Sequence, residues 1–256
     1  MRFAVGYQLA ETPAEASFVE LVRDYRDHVA EVYFPWGDLA SGRAALTSRR
    51  GCVNGSGQRQ LEEDLRRLRE MGVALDLLFN ANCYGHLAVS EHLENQVGSI
   101  MAHLAEILDG PVETVTTTSL TVARTIRRHF PGVEIRASVN MRIGTVPGMQ
   151  YVAGLFDSYC VQRDYNRDLP HLARLKKWAD ANGKKLTMLA NSGCLAFCSG
   201  QTFHDNLVAH EALIDETRNL PGWTPTVCWH LLRQRENWPI LLQATWIRPE
   251  DPMALR

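Results

Sequence analysis

The sequence predicts a single α/β domain over residues 1–256, built as a (β/α)8 barrel of the TIM type. Short runs of β-branched and other apolar residues alternate along the chain with longer amphipathic stretches, which is the order of parallel strands and covering helices. Eight such strand candidates are present, the number that a closed barrel of this type requires. No internal repeat, low-complexity tract or Pro/Gly/Ser linker divides the chain, so we expect one domain.

The eight predicted strands are short, and several are near-continuous hydrophobic runs, as is typical of parallel strands covered on both faces. They are Phe3–Tyr7, Glu31–Trp36, Ala74–Ala81, Glu113–Thr118, Glu134–Asn140, Asp157–Gln162, Leu186–Asn191 and Ile240–Ile247. Because the chain stops at Arg256, soon after the eighth strand, we expect the eighth helix to be missing or truncated. The Gly-x-Gly-x-x-Gly fingerprint of dinucleotide-binding folds is absent.

Helix signals lie between the strands. The first helix is predicted over 12–29 with Thr12 as its N-cap, because Pro and Glu follow at the positions that favour a helix start. A second helix is predicted over 58–72, since its leucines share one face and Gly72 can close it. Further amphipathic helices are predicted over 90–110, 119–132, 168–183 and 203–219.

The composition is ordinary for a globular protein, with 45% hydrophobic and 22% charged residues. A net charge of −2 excludes a general electrostatic attraction to nucleic acid or anionic membranes. No stretch reaches the roughly 20 apolar residues of a spanning helix, and the N-terminal run predicts a strand and not a signal peptide. We therefore expect a cytoplasmic protein that does not enter the membrane and whose six cysteines stay reduced.

Three cysteines near the C-terminus are the strongest functional signal. Cys194 and Cys198 lie in NSGCLAFCSGQ, directly after the seventh predicted strand, and Cys228 lies in PTVCWHL. Thiolates are soft ligands, so this grouping indicates a metal or cluster, a disulfide, or redox chemistry, with buried core packing as the alternative. The spacing differs from that of a zinc knuckle. A fourth cysteine would complete an iron–sulfur site; Cys83, after strand three, is favoured, and Cys52 is its rival.

Polar side chains follow several of the predicted strands, at the end where barrel enzymes carry their active sites. Arg142 and Arg163 are predicted to act in catalysis by holding an anionic or polar group, and Asp164 by serving as acid or base. The residues predicted to bind substrate are Arg43, Asn80, Asn82, Asn140 and Asn191.

Two other catalytic patterns were weighed. His204 and His210 do not match the His-Glu-x-x-His pattern of metalloproteases, because six residues place them far apart around a helix. Cys83 followed by His86 leaves open a cysteine nucleophile with a neighbouring base.

Taken in order, four segments resemble the peptidase U32 family. They are AEVYFPWGDLASGRA, VEIRASVNMRIG, CVQRDYNRDLPHL and NSGCLAFCSGQ with PTVCW. Arg163 and Asp164 match the Arg-Glu pair of the family, and the three C-terminal cysteines match its cysteine region. The resemblance implies a TIM-type barrel with a four-cysteine [4Fe–4S] site. The first two cysteines are closer together than in the family, and the preceding strand lacks the family's glutamate.

The resemblance implies an enzyme and leaves its activity open. Better understood members use an iron–sulfur cluster to support oxygen-independent hydroxylation, which implies a small or nucleotide-like substrate here. Early members were described as collagenase-like peptidases, which is the second hypothesis. The third is a non-catalytic zinc-binding barrel whose open edge near Arg256 binds a protein partner or a second copy as a homodimer.

Overall fold

The computed structural model describes residues 2–9, 15–37, 39, 41, 55–210 and 227–247. Thr12, Arg43 and Cys52, which enter the sequence-based predictions, lie outside these residues. The chain divides into two compact units, the first over Met1–Ile135 with Val208–Arg218 and the second over Arg136–Leu207 with Asn219–Arg256. The expectation of one domain stays a prediction.

The first four strands confirm the sequence pattern. They are β1 (Phe3–Gly6), β2 (Val29–Pro35), β3 (Ala74–Phe79) and β4 (Thr114–Thr117). Each is parallel to the strand that precedes it in the chain. In β3 and β4 nearly every side chain is buried, as expected of parallel strands covered on both faces.

The helices of the first unit are amphipathic. They are α1 (Phe18–Asp24), α2 (Gly55–Glu70), α3 (Glu91–Ile107) and α4 (Leu120–His129). The leucine face predicted for α2 is completely buried, and Gly72 beyond its end adopts the left-handed φ of +70° that such a stop favours. The predicted start of α1 is wrong, because residues 15–17 are not helical and the helix begins at Phe18.

Three more parallel strands follow, β5 (Glu134–Ala137), β6 (Ser158–Cys160) and β7 (Lys185–Thr187), and β5 to β6 and β6 to β7 pair in chain order. Four helices accompany them: α5 (Val146–Tyr151), α6 (Leu169–Ala181), α7 (Gln201–Ala209) and α8 (Val227–Leu232). Within the described ranges, every helix is too short or too polar to cross a lipid bilayer.

The predicted eighth strand, Ile240–Ile247, is wrong. Residues Arg235–Gln243 form a 3₁₀ helix that contains Pro239, a residue that disfavours a central strand. Leu242 is 73% exposed, so this apolar run is not a covered strand. Only Ala244 makes a single antiparallel bridge, to Leu195. The described residues therefore give seven parallel strands of a TIM-like α/β fold and not a closed eight-stranded barrel.

Candidate cysteine site

Cys194 and Cys198 lie on an irregular segment between β7 and α7, and the side chain of Asn166 holds the start of this segment. This side chain is only 2% exposed. Its Nδ2 donates to the carbonyl oxygens of Leu189 at 2.9 Å and Thr245 at 2.7 Å. One buried amide thus joins the start of the cysteine segment to the residues after the 3₁₀ helix, in place of the ladder that an eighth strand would have formed.

Cys194 is held by a second set of hydrogen bonds. The Thr245 backbone N–H donates to the Cys194 carbonyl at 2.8 Å. The Thr245 hydroxyl donates to Ser192 Oγ at 3.0 Å, and Ser192 Oγ in turn accepts from the Cys194 N–H at 3.4 Å. The backbone of Cys194 is therefore fixed on both sides while its side chain remains exposed.

Arg163 contacts two other predicted site residues, Cys194 and Asn140. It follows β6 in a 3₁₀ turn and is 8% exposed. Its Nη1 donates to Cys194 Sγ at 3.0 Å and, at 3.5 Å, to Ser192 Oγ, while Nη2 donates to Asn140 Oδ1 at 3.1 Å. Arg163 therefore links the sulfur of Cys194 to the amide oxygen of Asn140.

Asp164 contacts the same segment from the next position. Its Oδ2 accepts from Gln162 Nε2 at 2.8 Å, and its Oδ1 accepts from the backbone N–H of Phe197. Phe197 has a φ of +51°, an unfavourable conformation for a bulky side chain. Both carboxyl oxygens therefore accept a hydrogen bond, and Oδ1 holds the segment between the two cysteines. A role for Asp164 as acid or base stays a prediction.

Cys198 and the start of α8 meet at Gly200. A Cβ at Gly200 would lie 2.8 Å from Val227 Cγ2 and 3.8 Å from Cys198 Sγ, so a larger residue does not fit without movement. Cys228 follows Val227 directly in α8. The close approach that glycine allows here is what brings the segment of Cys198 against the helix of Cys228.

The three thiols influence one another electrostatically. Burial raises the pKa of the Cys228 thiol, and the nearby charges of Cys198 and, to a smaller extent, Cys194 raise it further. Nevertheless, no three His, Cys, Asp or Glu side chains in the described part of the chain are already arranged to hold a metal ion.

Asp205 in α7 is a candidate that the sequence analysis missed. Burial raises the pKa of its carboxyl, and the positive charges of Arg163, His204 and Arg142 oppose that shift only in part. Arg142, whose φ is +54°, also reaches α7 through a hydrogen bond of 3.5 Å to Thr202 Oγ1. The sequence could have indicated Asp205, because this carboxylate lies in the predicted helix that follows the cysteine segment, about one helical turn after the start of α7.

The remaining predicted residues make other contacts, which are described for each unit by itself. In the first unit, Asn80 Oδ1 accepts from Ser41 Oγ at 2.9 Å, and Cys83 Sγ accepts from the Gly85 N–H at 3.3 Å. Asn82 is half-buried in the same turn, whereas Asn191, in the second unit, is exposed. Cys83 as a fourth ligand stays a prediction, and Cys52 and Arg43 lie outside the described residues.

Comparison with known proteins identifies the fold. No protein-family model and no curated protein matches the sequence. Among solved structures, a U32 peptidase matches with a TM-score of 0.67 and 14% identity, over 98% of this chain and 89% of that chain. The likeness shows a U32-like, TIM-like fold. At this identity it shows the fold alone, and it supports the TIM-like part of the predicted architecture but not a closed eight-stranded barrel.

Two other solved structures match less well. A candidate dehydratase from Mesorhizobium loti has a TM-score of 0.48 and 12% identity over 82% of this chain and 52% of that one. An enolase from Pseudomonas fluorescens has a TM-score of 0.45 and 13% identity over 82% of this chain and 46% of that one. These scores are too low to support an argument about this chain.

Proposed function

We propose that the protein is an enzyme that binds a [4Fe–4S] cluster through Cys194, Cys198 and Cys228 and supports oxygen-independent hydroxylation or another modification of a small or nucleotide-like substrate. The observation that carries this proposal is the hydrogen bond of 3.0 Å that Arg163 donates to Cys194 Sγ. Cys198 lies on the same segment, which packs at Gly200 against Val227, the residue before Cys228. Cys83 is the proposed fourth ligand.

The chemistry of the donor set fits such a group. Cysteine thiolates are the usual ligands of iron–sulfur clusters, and three of them near one another repel until a cation balances their charge. Burial raises the pKa of the Cys228 thiol, and the neighbouring charges of Cys198 and Cys194 raise it further. When bound, a cluster supplies one-electron redox chemistry.

The protein side chains around the thiols have separate proposed roles. Arg163 orients Cys194, because it is buried and its guanidinium joins the sulfur to Asn140 and Ser192. Arg142 is half-buried and binds an anionic or polar group of the substrate. Asp205 moves a proton, since a carboxyl with a raised pKa exchanges protons nearer to neutral pH than an ordinary one.

Anaerobic purification followed by iron and sulfide analysis tests this proposal. We expect about four irons and four sulfides per chain after reconstitution, with loss of most of this iron in C194A, C198A and C228A. Cys160, which is half-buried in β6, provides a matched control, and C160A is expected to retain its iron. Wild-type protein that cannot be reconstituted would contradict the proposal.

The likeness to a U32 peptidase structure favours one other activity, peptide hydrolysis. Cleavage of a gelatin-type substrate by the pure, metal-replete protein, with loss of cleavage in C83S or in the presence of a chelator, would support a collagenase-like peptidase. Absence of cleavage would remove this candidate. Tightly bound zinc with no iron, together with a stable dimer in sedimentation, would instead support the zinc-binding subunit.

A further inference from the structure

We propose that Cys198 and Cys228 form a reversible disulfide in the metal-free protein, so that the thiol site is also a site of oxidative modification. The inference rests on the proposed function in one respect, that the same two sulfurs ligate the metal when they are reduced. Disulfide formation itself requires only the two thiols and an oxidant, so it can be tested without any metal.

The geometry that favours this pair is the contact at Gly200. Val227 Cγ2 and Cys198 Sγ both approach the position that a Cβ would occupy there, at 2.8 Å and 3.8 Å. Since Cys228 is the residue after Val227, the segment that carries Cys198 packs directly against the first turn of α8. A disulfide needs Cβ atoms about 3.5–4.5 Å apart, and the packing of Gly200 on Val227 brings the two cysteine-bearing segments together.

Cys194 is the less suitable partner because it is already engaged. Arg163 Nη1 donates to its sulfur at 3.0 Å, and its carbonyl accepts the Thr245 N–H at 2.8 Å. This engagement of Cys194 favours Cys198 as the partner of Cys228.

The reaction is thiol–disulfide exchange with a small disulfide such as oxidised glutathione. One thiolate of the pair attacks a sulfur of the small disulfide, its S–S bond breaks, and one small thiol leaves. The second protein thiolate then attacks the sulfur of the mixed disulfide and expels the other small thiol. In total, two protein thiols lose two electrons and two protons, and the small disulfide is reduced to two thiols.

The consequence for the site is the loss of two of its three neighbouring ligands. Oxidised protein would retain Cys194 with its Arg163 contact but could not present Cys198 and Cys228 to a metal. Metal loading would therefore depend on prior reduction of this disulfide.

The test uses the full chain, reduced, freed of metal with a chelator and then equilibrated with defined ratios of reduced and oxidised glutathione. Free thiols are blocked by alkylation, and the disulfide-linked peptides are mapped by mass spectrometry. We expect the peptide pair that contains Cys198 and Cys228 to be the dominant product. C194S and C160S should preserve it, whereas C198S and C228S should each remove it.

A second measurement separates this inference from the proposed function. Oxidised and re-reduced wild-type protein are compared for iron uptake during anaerobic reconstitution, and we expect at least a tenfold slower uptake by the oxidised form. If the disulfide forms but neither form takes up iron, the inference holds and the cluster proposal fails. A dominant Cys194–Cys198 pair, or no protein disulfide under strongly oxidising glutathione ratios, would overturn the inference.

Discussion

Replacing Arg163 with methionine tests how the cysteine segment is held. The guanidinium is 8% exposed and donates to Cys194 Sγ, Asn140 Oδ1 and Ser192 Oγ. Hydrogen bonds that involve a charged group contribute about 1.5–3 kcal/mol each. Removing the arginine also removes the cost of burying its charge, which offsets part of that loss. We therefore expect R163M to lower the free energy of unfolding by about 2–4 kcal/mol.

Urea denaturation followed by circular dichroism measures this change. Arg142 provides a matched control, because it is half-buried and its contact with Thr202 Oγ1 is long, at 3.5 Å. R142M is expected to change stability by less than about 0.5 kcal/mol. R163K keeps the charge but not the planar arrangement of donors, so its free energy of unfolding should lie between those of R163M and R142M. Equal stability of R163M and R142M would refute the positioning role of Arg163.

Three further predictions concern the same region. G200A should lower the free energy of unfolding by about 1–3 kcal/mol, because its Cβ would lie 2.8 Å from Val227 Cγ2. The double variant G200A/V227A should regain most of the thermal stability. A double variant no more stable than G200A would contradict this contact. N166A should lower the free energy of unfolding, measured by urea denaturation, by about 2–4 kcal/mol, because the carbonyls of Leu189 and Thr245 lose their donor. A decrease below about 1 kcal/mol would mean that this amide does not hold the segment. Because the folded-state pKa of Asp205 is raised, the folded protein binds more protons, so stability should fall as pH rises from about 4 through that pKa. D205N should lack this part of the pH dependence and should be more stable than the wild-type protein at neutral pH. Identical profiles of stability against pH for the two proteins would contradict the raised pKa of Asp205.

Seven strands could be predicted from the sequence because most are short runs that are either apolar or rich in β-branched residues, with helix signals between them. Ser90 and Ser119 start α3 and α4 by accepting hydrogen bonds from backbone N–H groups three residues later, as local capping rules require. The eighth strand failed because Ile240–Ile247 has the same local composition as a covered strand. Whether such a run is covered is decided by tertiary packing, which here leaves Leu242 exposed.

The candidate site was predictable to the extent that it follows strand ends. Placing Cys194 and Cys198 after β7, and Arg163 after β6, required only the rule that barrel sites lie at the C-terminal ends of strands. The direct contact between Arg163 and Cys194 could not be predicted, because it depends on the side-chain orientation of Arg163. Asp205 was missed for a related reason, since its raised pKa arises from burial that the sequence alone does not reveal.

The most direct test of the cluster proposal is an anomalous-scattering experiment at the iron absorption edge on crystals of anaerobically purified protein. We expect a strong iron peak surrounded by the sulfurs of Cys194, Cys198 and Cys228, each at about 2.3 Å, a distance typical of a metal–thiolate bond. A peak at the zinc edge alone, or three separate thiols with no metal between them in reconstituted protein, would contradict it.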